Sequence, residues 1–224
     1  MILAIAAALA AAQAPCPEVI TAEAFVCRAI RATAENKPQD AAESFEQAAL
    51  AIDPSNPEVS RLWAAAGNMW IAAGQPGKAA LALDKALAGT GLQAEQRGEA
   101  LLDRARAAEA QNDLKTARAK VNEAAATISQ DPFLWYFSAA LAIREGDGAT
   151  AKASIARALS IEPNDPLILF EAGHVAHFTG DLAGAKDYWT RASAADPNGD
   201  AGKAAREALA LLDDTPAKPP ETKP

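Results

Sequence analysis

The sequence predicts an all-α protein of repeated helix pairs, and three observations support this fold class. Alanine, which has the highest helix propensity, makes up about a quarter of the 224 residues. Aromatic residues are only 5% of the chain, which leaves few of the residues that favour β-strands. The same residue types recur every 34 positions over much of the chain, as expected for stacked copies of one structural unit.

Residues 1–14 are typical of a signal peptide. The first 12 residues form an uninterrupted apolar run, which is shorter than the roughly 20 residues that span a bilayer but suits a secretory signal. Cleavage after Ala12 or Ala14 would export the chain, to the periplasm or elsewhere outside the cytoplasm, without an integral membrane segment. No basic residue precedes the run, so a cytoplasmic chain that begins with a buried alanine-rich helix is the alternative.

Cys16 and Cys27 are the two cysteines of the chain. An even number of cysteines in an exported chain favours a disulfide. Cys16 lies between two prolines, in a segment that we predict to be extended over residues 15–22, whereas Cys27 falls on the first predicted helix. The bridge would hold the extended segment against that helix. The alternatives are two unpaired thiols and attachment of a lipid to Cys16.

Alanines mark the 34-residue period most clearly. Two sets recur at this spacing: Ala117, Ala151 and Ala185, and also Ala124, Ala158 and Ala192. Each unit contains two helical stretches separated by Gly or Asn and then Asp or Pro, a combination that ends one helix and starts the next. Small residues such as Gly67 and Gly173 would let the paired helices approach closely, and we expect Trp63, Trp135 and Trp189 to fill the remaining core.

Several units share a longer pattern. Residues 60–93 contain it as Trp63, Ala66-Gly67, Trp70, Gly74, Ala79, Leu83 and Ala86. This pattern resembles the tetratricopeptide repeat (TPR), and the resemblance implies a right-handed α-solenoid of stacked antiparallel helix pairs. We place about five repeats at residues 23–199, of which the first and third are degenerate. A capping helix at residues 200–214 and a disordered tail at residues 215–224 complete the chain.

The degenerate repeats depart from the pattern in specific ways. The first repeat keeps Ala42, Phe45 and Ala49 but lacks the tryptophan and glycine of the first helix. A longer link precedes the third repeat, and Thr90 with Gln93 forms a predicted capping box in it.

The resemblance also implies a partner-binding groove. In TPR proteins, residues at fixed positions on the first helix of each repeat line the concave surface and contact ligands. Carried over to this sequence, these positions are Arg61, Asn68, Ile71, Leu102, Arg106, Phe133, Tyr136, Phe137, Ile143, Leu167, Phe170, His174, His177 and Phe178. Five of the eight Phe and Tyr residues are among them, which favours an apolar groove for a peptide or a partner helix. Packing of these rings between helices is the alternative.

Two features restrict the chemistry of this groove. Asp103 stands where the clamp that binds terminal carboxylates in chaperone-binding TPR proteins needs arginine, which excludes that clamp. His174 and His177 lie on one predicted helix with Glu171 one turn earlier, so the three could share a face. We interpret them as groove or packing residues rather than metal ligands.

Composition and charge narrow the classes of function further. The formal net charge of −8 disfavours a nucleic-acid partner. Two histidines and two cysteines supply few groups for catalysis, and motifs for phosphate, zinc or a catalytic serine are absent from the sequence. We therefore predict a non-enzymatic adaptor or scaffold of the cell envelope, without cofactor or metal, that binds a protein or peptide. The alternative is a structural subunit whose groove is filled by self-association or by an obligate partner.

Overall fold

The computed structural model describes residues 15–213, and within this range it contains eleven α-helices and no β-strand. The helices are α1 Ala22–Ala34, α2 Pro38–Leu50, α3 Glu58–Ala72, α4 Pro76–Ala88, α5 Ala94–Ala110, α6 Leu114–Ala124, α7 Pro132–Glu145, α8 Gly148–Ile161, α9 Pro166–Phe178, α10 Leu182–Ala195 and α11 Asp200–Asp213. The predicted signal peptide and tail lie outside the described residues. None of the helices formed by residues 15–213 has the length and apolarity of a membrane-spanning helix.

The helices belong to two compact units, the first ending at Asp113 and the second beginning at Leu114. Within each unit, every helix packs against the next one in the chain. The first helices of successive repeats also pack side by side, α3 against α5 in the first unit and α7 against α9 in the second. The predicted all-α fold of stacked antiparallel helix pairs is confirmed.

The first helix of each repeat ends in a left-handed residue. These residues are Asn36, Gly74, Asn112, Gly146 and Gly180, with φ between 55° and 83°. Glycine and asparagine adopt this conformation at the lowest cost. Asn36 and Gly74 are 38 positions apart, whereas Gly146 and Gly180 are 34 apart. The earlier repeats are therefore longer than the 34-residue pattern predicts.

This spacing corrects the register of the first repeat. Counting 38 residues back from Ala79 and Ala86 gives Ala41 and Ala48, all four of which are fully buried. The sequence pattern had favoured Ala42 and Ala49 for these positions. In the corrected register Phe25 corresponds to Trp63, so the first repeat keeps a large aromatic residue.

Small and large residues complement each other between paired helices. A Cβ atom on Gly67 would lie 2.4 Å from Cγ of Leu83, and one on Gly173 would lie 2.2 Å from Nε1 of Trp189. Both glycines therefore permit the close approach that the sequence predicted. Trp63 and Trp189 are buried as expected.

Trp135 has only part of the predicted core role, since it packs against the core cluster that contains Ala139 and Ala158 without being fully buried. Its indole N–H donates a hydrogen bond to the carbonyl oxygen of Ser129 at 2.9 Å. The large side chains of the same helix that are buried are Leu134, Phe137 and Leu141. Helix α7 is apolar on nearly all sides, so its sequence gave no amphipathic pattern from which to choose the buried face.

The N-terminal segment is attached to α1 by covalent and polar contacts. Cys16 and Cys27 form a disulfide. The guanidinium of Arg28 donates hydrogen bonds to the carbonyl oxygens of Pro17, at 3.2 Å, and Val19, at 3.3 Å. The same guanidinium lies 4.3 Å from the ring centroid of Phe25. These contacts fix the chain where it enters the first helix pair.

The start of α5 differs from the prediction. Gln93 is the N-cap residue, and its backbone N–H donates to the side chain of Gln96 at 3.1 Å. The capping box is therefore formed by Gln93 and Gln96, not by Thr90 and Gln93.

Candidate partner-binding site

An open cavity of about 630 Å³ lies in the second unit, among α7, α9, α10 and α11. Its wall is mainly apolar, and two of its side chains are largely exposed: Phe178 at 42% and Leu211 at 71%. The lining residues are Ile143, His174, His177, Phe178, Trp189, Ala208, Leu211 and Leu212. Exposed apolar side chains around a concave surface are typical of a binding site.

Helix α9 contributes His174, His177 and Phe178 to the cavity wall. The spacing of the residues along this helix determines which side faces the core and which side faces the cavity. The carboxylate of Asp165 accepts hydrogen bonds from the backbone N–H groups of Leu167 and Ile168, both at 2.9 Å, and so caps the helix. The core side of the helix consists of Ile168, Leu169, Ala172, Val175 and Ala176. The other side consists of Leu167, Phe170, His174, His177 and Phe178, which recur every three or four positions and therefore share a face.

Aromatic contacts hold the two histidines in place. The ring centroid of His174 lies 4.4 Å from that of Phe170 and 5.7 Å from that of Trp189. His177 lies 5.9 Å from Trp189 by the same measure. The indole N–H of Trp189 donates a hydrogen bond to the carbonyl oxygen of Phe170 at 3.1 Å. Trp189 thus both fills the core, as predicted, and lines the cavity.

Glu171 is a buried carboxylate next to the cavity. Its side chain is 7% exposed, and its Oε2 lies 3.6 Å from Nδ1 of His174. Burial, together with the negative charges of Glu171 and Asp165, raises the pKa of the Tyr136 phenol. The Tyr136 ring is stacked on Phe133 with 5.4 Å between ring centroids.

The predicted contact residues of the first unit form a polar cluster instead of an apolar groove. The amide of Asn68 donates a hydrogen bond to Asp103 at 2.8 Å, and Arg106 pairs with the same carboxylate at 2.9 Å. Arg61 forms an ion pair with Glu58 on the preceding turn. Asn68 and Arg106 share the Asp103 carboxylate, and Arg61 pairs with Glu58, so this face offers charged and amide groups rather than an apolar surface.

The sequence matches no protein-family model and no curated protein. Its structure is nevertheless similar to known structures. PilW, described as a widely conserved type IV pilus biogenesis factor, aligns with 82% of this chain and 81% of its own at 21% identity, with a TM-score of 0.68. YrrB, described as a TPR protein with an unusual peptide-binding site, aligns with 83% of this chain and 92% of its own at 17% identity, with a TM-score of 0.61.

The chain has the tetratricopeptide-repeat fold. PilF of Pseudomonas aeruginosa has a similar structure, covering 84% of this chain and 82% of its own at 15% identity, with a TM-score of 0.67. Because these identities are low, the comparisons establish the TPR fold and leave function to the site itself.

Twelve of the fourteen predicted TPR contact positions fall into three groups, and the other two are buried. Those that line the cavity are Ile143, His174, His177 and Phe178. Those that are partly buried against a core are Ile71, Tyr136 and Phe170. The remaining accessible ones are Arg61, Asn68, Arg106, Phe133 and Leu167. The cavity therefore brings together only part of the predicted set.

Two predicted contact residues are corrected by the structure. Leu102 is 5% exposed and Phe137 is 9% exposed. Both side chains belong to the hydrophobic core and cannot contact a partner in this conformation. Ser138 and Ala139 next to Phe137 are buried as well, so this part of α7 faces the core rather than the groove.

The sequence analysis missed the contribution of α11. We had assigned this helix only a capping role, but Ala208, Leu211 and Leu212 line the cavity. A signal for them was present, since they follow His174, His177 and Phe178 by 34 residues. Extending the TPR period one more unit would have placed them on the same surface.

The histidines and Glu171 do not form a metal site in this structure. Within residues 15–213, no group of three His, Cys, Asp or Glu side chains is arranged to hold a metal ion. Glu171 lies beside His174, whereas His177 contacts Trp189.

Proposed function

We propose that this TPR chain is a non-catalytic adaptor of the cell envelope that binds a peptide or partner helix in the cavity among α7, α9, α10 and α11. The observation that carries the proposal is the cavity itself. It is large enough for several side chains of a ligand, and Phe178 and Leu211 present exposed apolar surface around it. Burying such surface against a partner is favourable by about 25 cal/mol per Å².

The lining chemistry supports binding rather than catalysis. Apart from His174 and His177, every residue that lines the cavity is apolar or aromatic. The lining residues include no thiol or hydroxyl group that could act as a nucleophile, and the one carboxylate beside these histidines, that of Glu171, is buried. An imidazole in such surroundings suits hydrogen bonding to a peptide.

Two observations support a location in the cell envelope. The disulfide between Cys16 and Cys27 suits an oxidising compartment, and the predicted signal peptide precedes it directly. PilW, whose structure is similar, is described as a pilus biogenesis factor. A location outside the cytoplasm agrees with both observations and with the predicted signal peptide.

Site-specific photo-crosslinking tests the proposal. A benzoylphenylalanine at position 178, in cells that produce the chain, should cross-link a distinct partner through the cavity. The same group at the exposed Lys152 of α8 is the matched control and should not capture that partner. Equal labelling at both positions, or none at position 178, would refute the cavity as the binding site. Cross-linking to a second copy of the chain would instead support the structural-subunit alternative.

A further inference from the structure

Glu171 is the most unusual charged group beside the cavity. Its side chain is 93% buried, since only 7% is exposed. Within residues 15–213, the one polar contact of its carboxylate is Nδ1 of His174 at 3.6 Å, which is longer than a hydrogen bond. Burying a carboxylate without a close donor or cation is costly. Within residues 15–213, this carboxylate therefore has no close donor or cation of its own.

The surroundings of Glu171 suit a cation. His174, which contacts the carboxylate, packs against the Phe170 ring at a tilted angle, with 4.4 Å between ring centroids. The phenol of Tyr136 interacts electrostatically with Glu171, as its raised pKa indicates. Aromatic faces attract ammonium and guanidinium groups, particularly where water is partly excluded. No lysine or arginine is among the residues that line the neighbouring cavity.

We propose that Glu171, beside His174 and Phe170, receives a lysine or arginine side chain of the bound partner while apolar residues of the same partner fill the cavity. This inference rests on the proposed function and adds the chemistry of the ligand. A charge-assisted hydrogen bond to a buried carboxylate is stronger than a neutral one. The site thus selects a segment that combines one basic residue with neighbouring apolar residues. The formal net charge of −8 also favours the approach of a basic segment.

Selection from a random library of 12-residue peptides displayed on phage tests this inference. The full chain, Glu171→Gln and the control Glu162→Gln serve as three separate targets. Gln has nearly the same shape as Glu, and Glu162 is an exposed carboxylate of the same unit. We expect peptides selected on the full chain and on Glu162→Gln to share a Lys or Arg at a fixed distance from apolar residues. Peptides selected on Glu171→Gln should lack this preference.

Titration calorimetry with a selected synthetic peptide then measures the charge effect. Replacing its arginine by citrulline, or its lysine by acetyl-lysine, should weaken binding to the unmodified chain and to Glu162→Gln by about tenfold or more. The same replacement should change binding to Glu171→Gln by about twofold or less. The comparison of the two peptides on the unmodified chain does not depend on whether the Glu171→Gln variant folds.

The outcomes separate this inference from the proposed function. The cation site would be overturned if the selected peptides need no basic residue. It would also be overturned if neutralising the basic residue weakens binding to the unmodified chain and to Glu171→Gln equally. Either result would leave the cavity as a binding site. Failure to select any peptide whose binding is weakened by Leu211→Ala would overturn both.

Discussion

Gly67 shows how a single residue sets the distance between two helices. A Cβ atom there would lie 2.4 Å from Cγ of Leu83, which is fully buried and cannot move aside freely. We expect Gly67→Ala to lower the free energy of unfolding by about 1–3 kcal/mol because it overpacks this contact. Urea unfolding followed by circular dichroism measures the change.

Gly77 is the matched control for Gly67 in the same unit. The nearest atom to a Cβ at Gly77 is Oε1 of Gln111, at 4.0 Å, so alanine fits without a clash. Gly77→Ala should raise the free energy of unfolding by about 0.5–1 kcal/mol, because alanine favours a helix over glycine. If both variants were equally stable, the close approach of α3 and α4 at Gly67 would be wrong.

The sequence predicted residue roles well where a repeated position has one demanding geometry. Gly67 and Gly173 are examples, since only a residue without a side chain fits opposite Leu83 and Trp189. Prediction failed in part on α7, where Trp135 was expected in the core and Phe137 in the groove. Residues two positions apart lie on nearly opposite sides of a helix, and α7 is apolar on both of these sides, so its sequence does not show which side faces the core.

Ala151 and Ala158 determine how closely α8 can pack against its neighbours. Both are fully buried, and both belong to a core cluster with Ala139 and Val175. Replacing either by leucine should cost about 1–3 kcal/mol of unfolding free energy, because the site has no space for the added atoms. Thermal unfolding of the purified variants provides the measurement.

Lys152 is the control for these two alanines. It lies on the same helix and is exposed, so Lys152→Ala should change the unfolding free energy by less than about 0.5 kcal/mol. Equal melting temperatures for Ala158→Leu and Lys152→Ala would contradict the packing of α8.

The disulfide should stabilise α1 by a modest amount. Cys16 and Cys27 are 11 positions apart, and a loop of 15 residues is expected to contribute roughly 3 kcal/mol. We expect the Cys16→Ser, Cys27→Ser double variant to lose less than about 3 kcal/mol, because its bridge closes a short terminal segment. Unfolding of the native chain with and without reductant gives the same comparison. A chain that fails to fold without the bridge would contradict this terminal role.

The sequence predicted only one of the two roles of helix α11. Its apolar residues predicted a cap on the last repeat, and Leu209 and Leu212 do pack against the core that contains Trp189. The cavity-lining role of Leu211 was not predicted, because the 34-residue period was not extended from His177 into this helix.

At the scale of the whole chain, the TPR fold was predictable because the 34-residue period specifies both helices and their turns. The longer spacing between Asn36, Gly74 and Asn112 was not predictable, because an alanine-rich helix can be aligned with the repeat in several equivalent registers. The residues of the candidate binding site were predicted only in part. Polar residues at groove positions in the first unit pair with each other through Asp103, and sequence spacing alone does not reveal such pairing.

The central claim is that the partner segment occupies the cavity beside α9 and α11. The most direct test is the Kd, by titration calorimetry, of the partner segment identified through cross-linking at position 178. Because Phe178 and Leu211 are exposed, replacing both by alanine should leave the fold intact and weaken binding by about 2 kcal/mol, or roughly thirtyfold. The control Leu182→Ala, an exposed apolar residue outside the cavity lining, should bind normally. An unchanged Kd for the double variant would contradict the account.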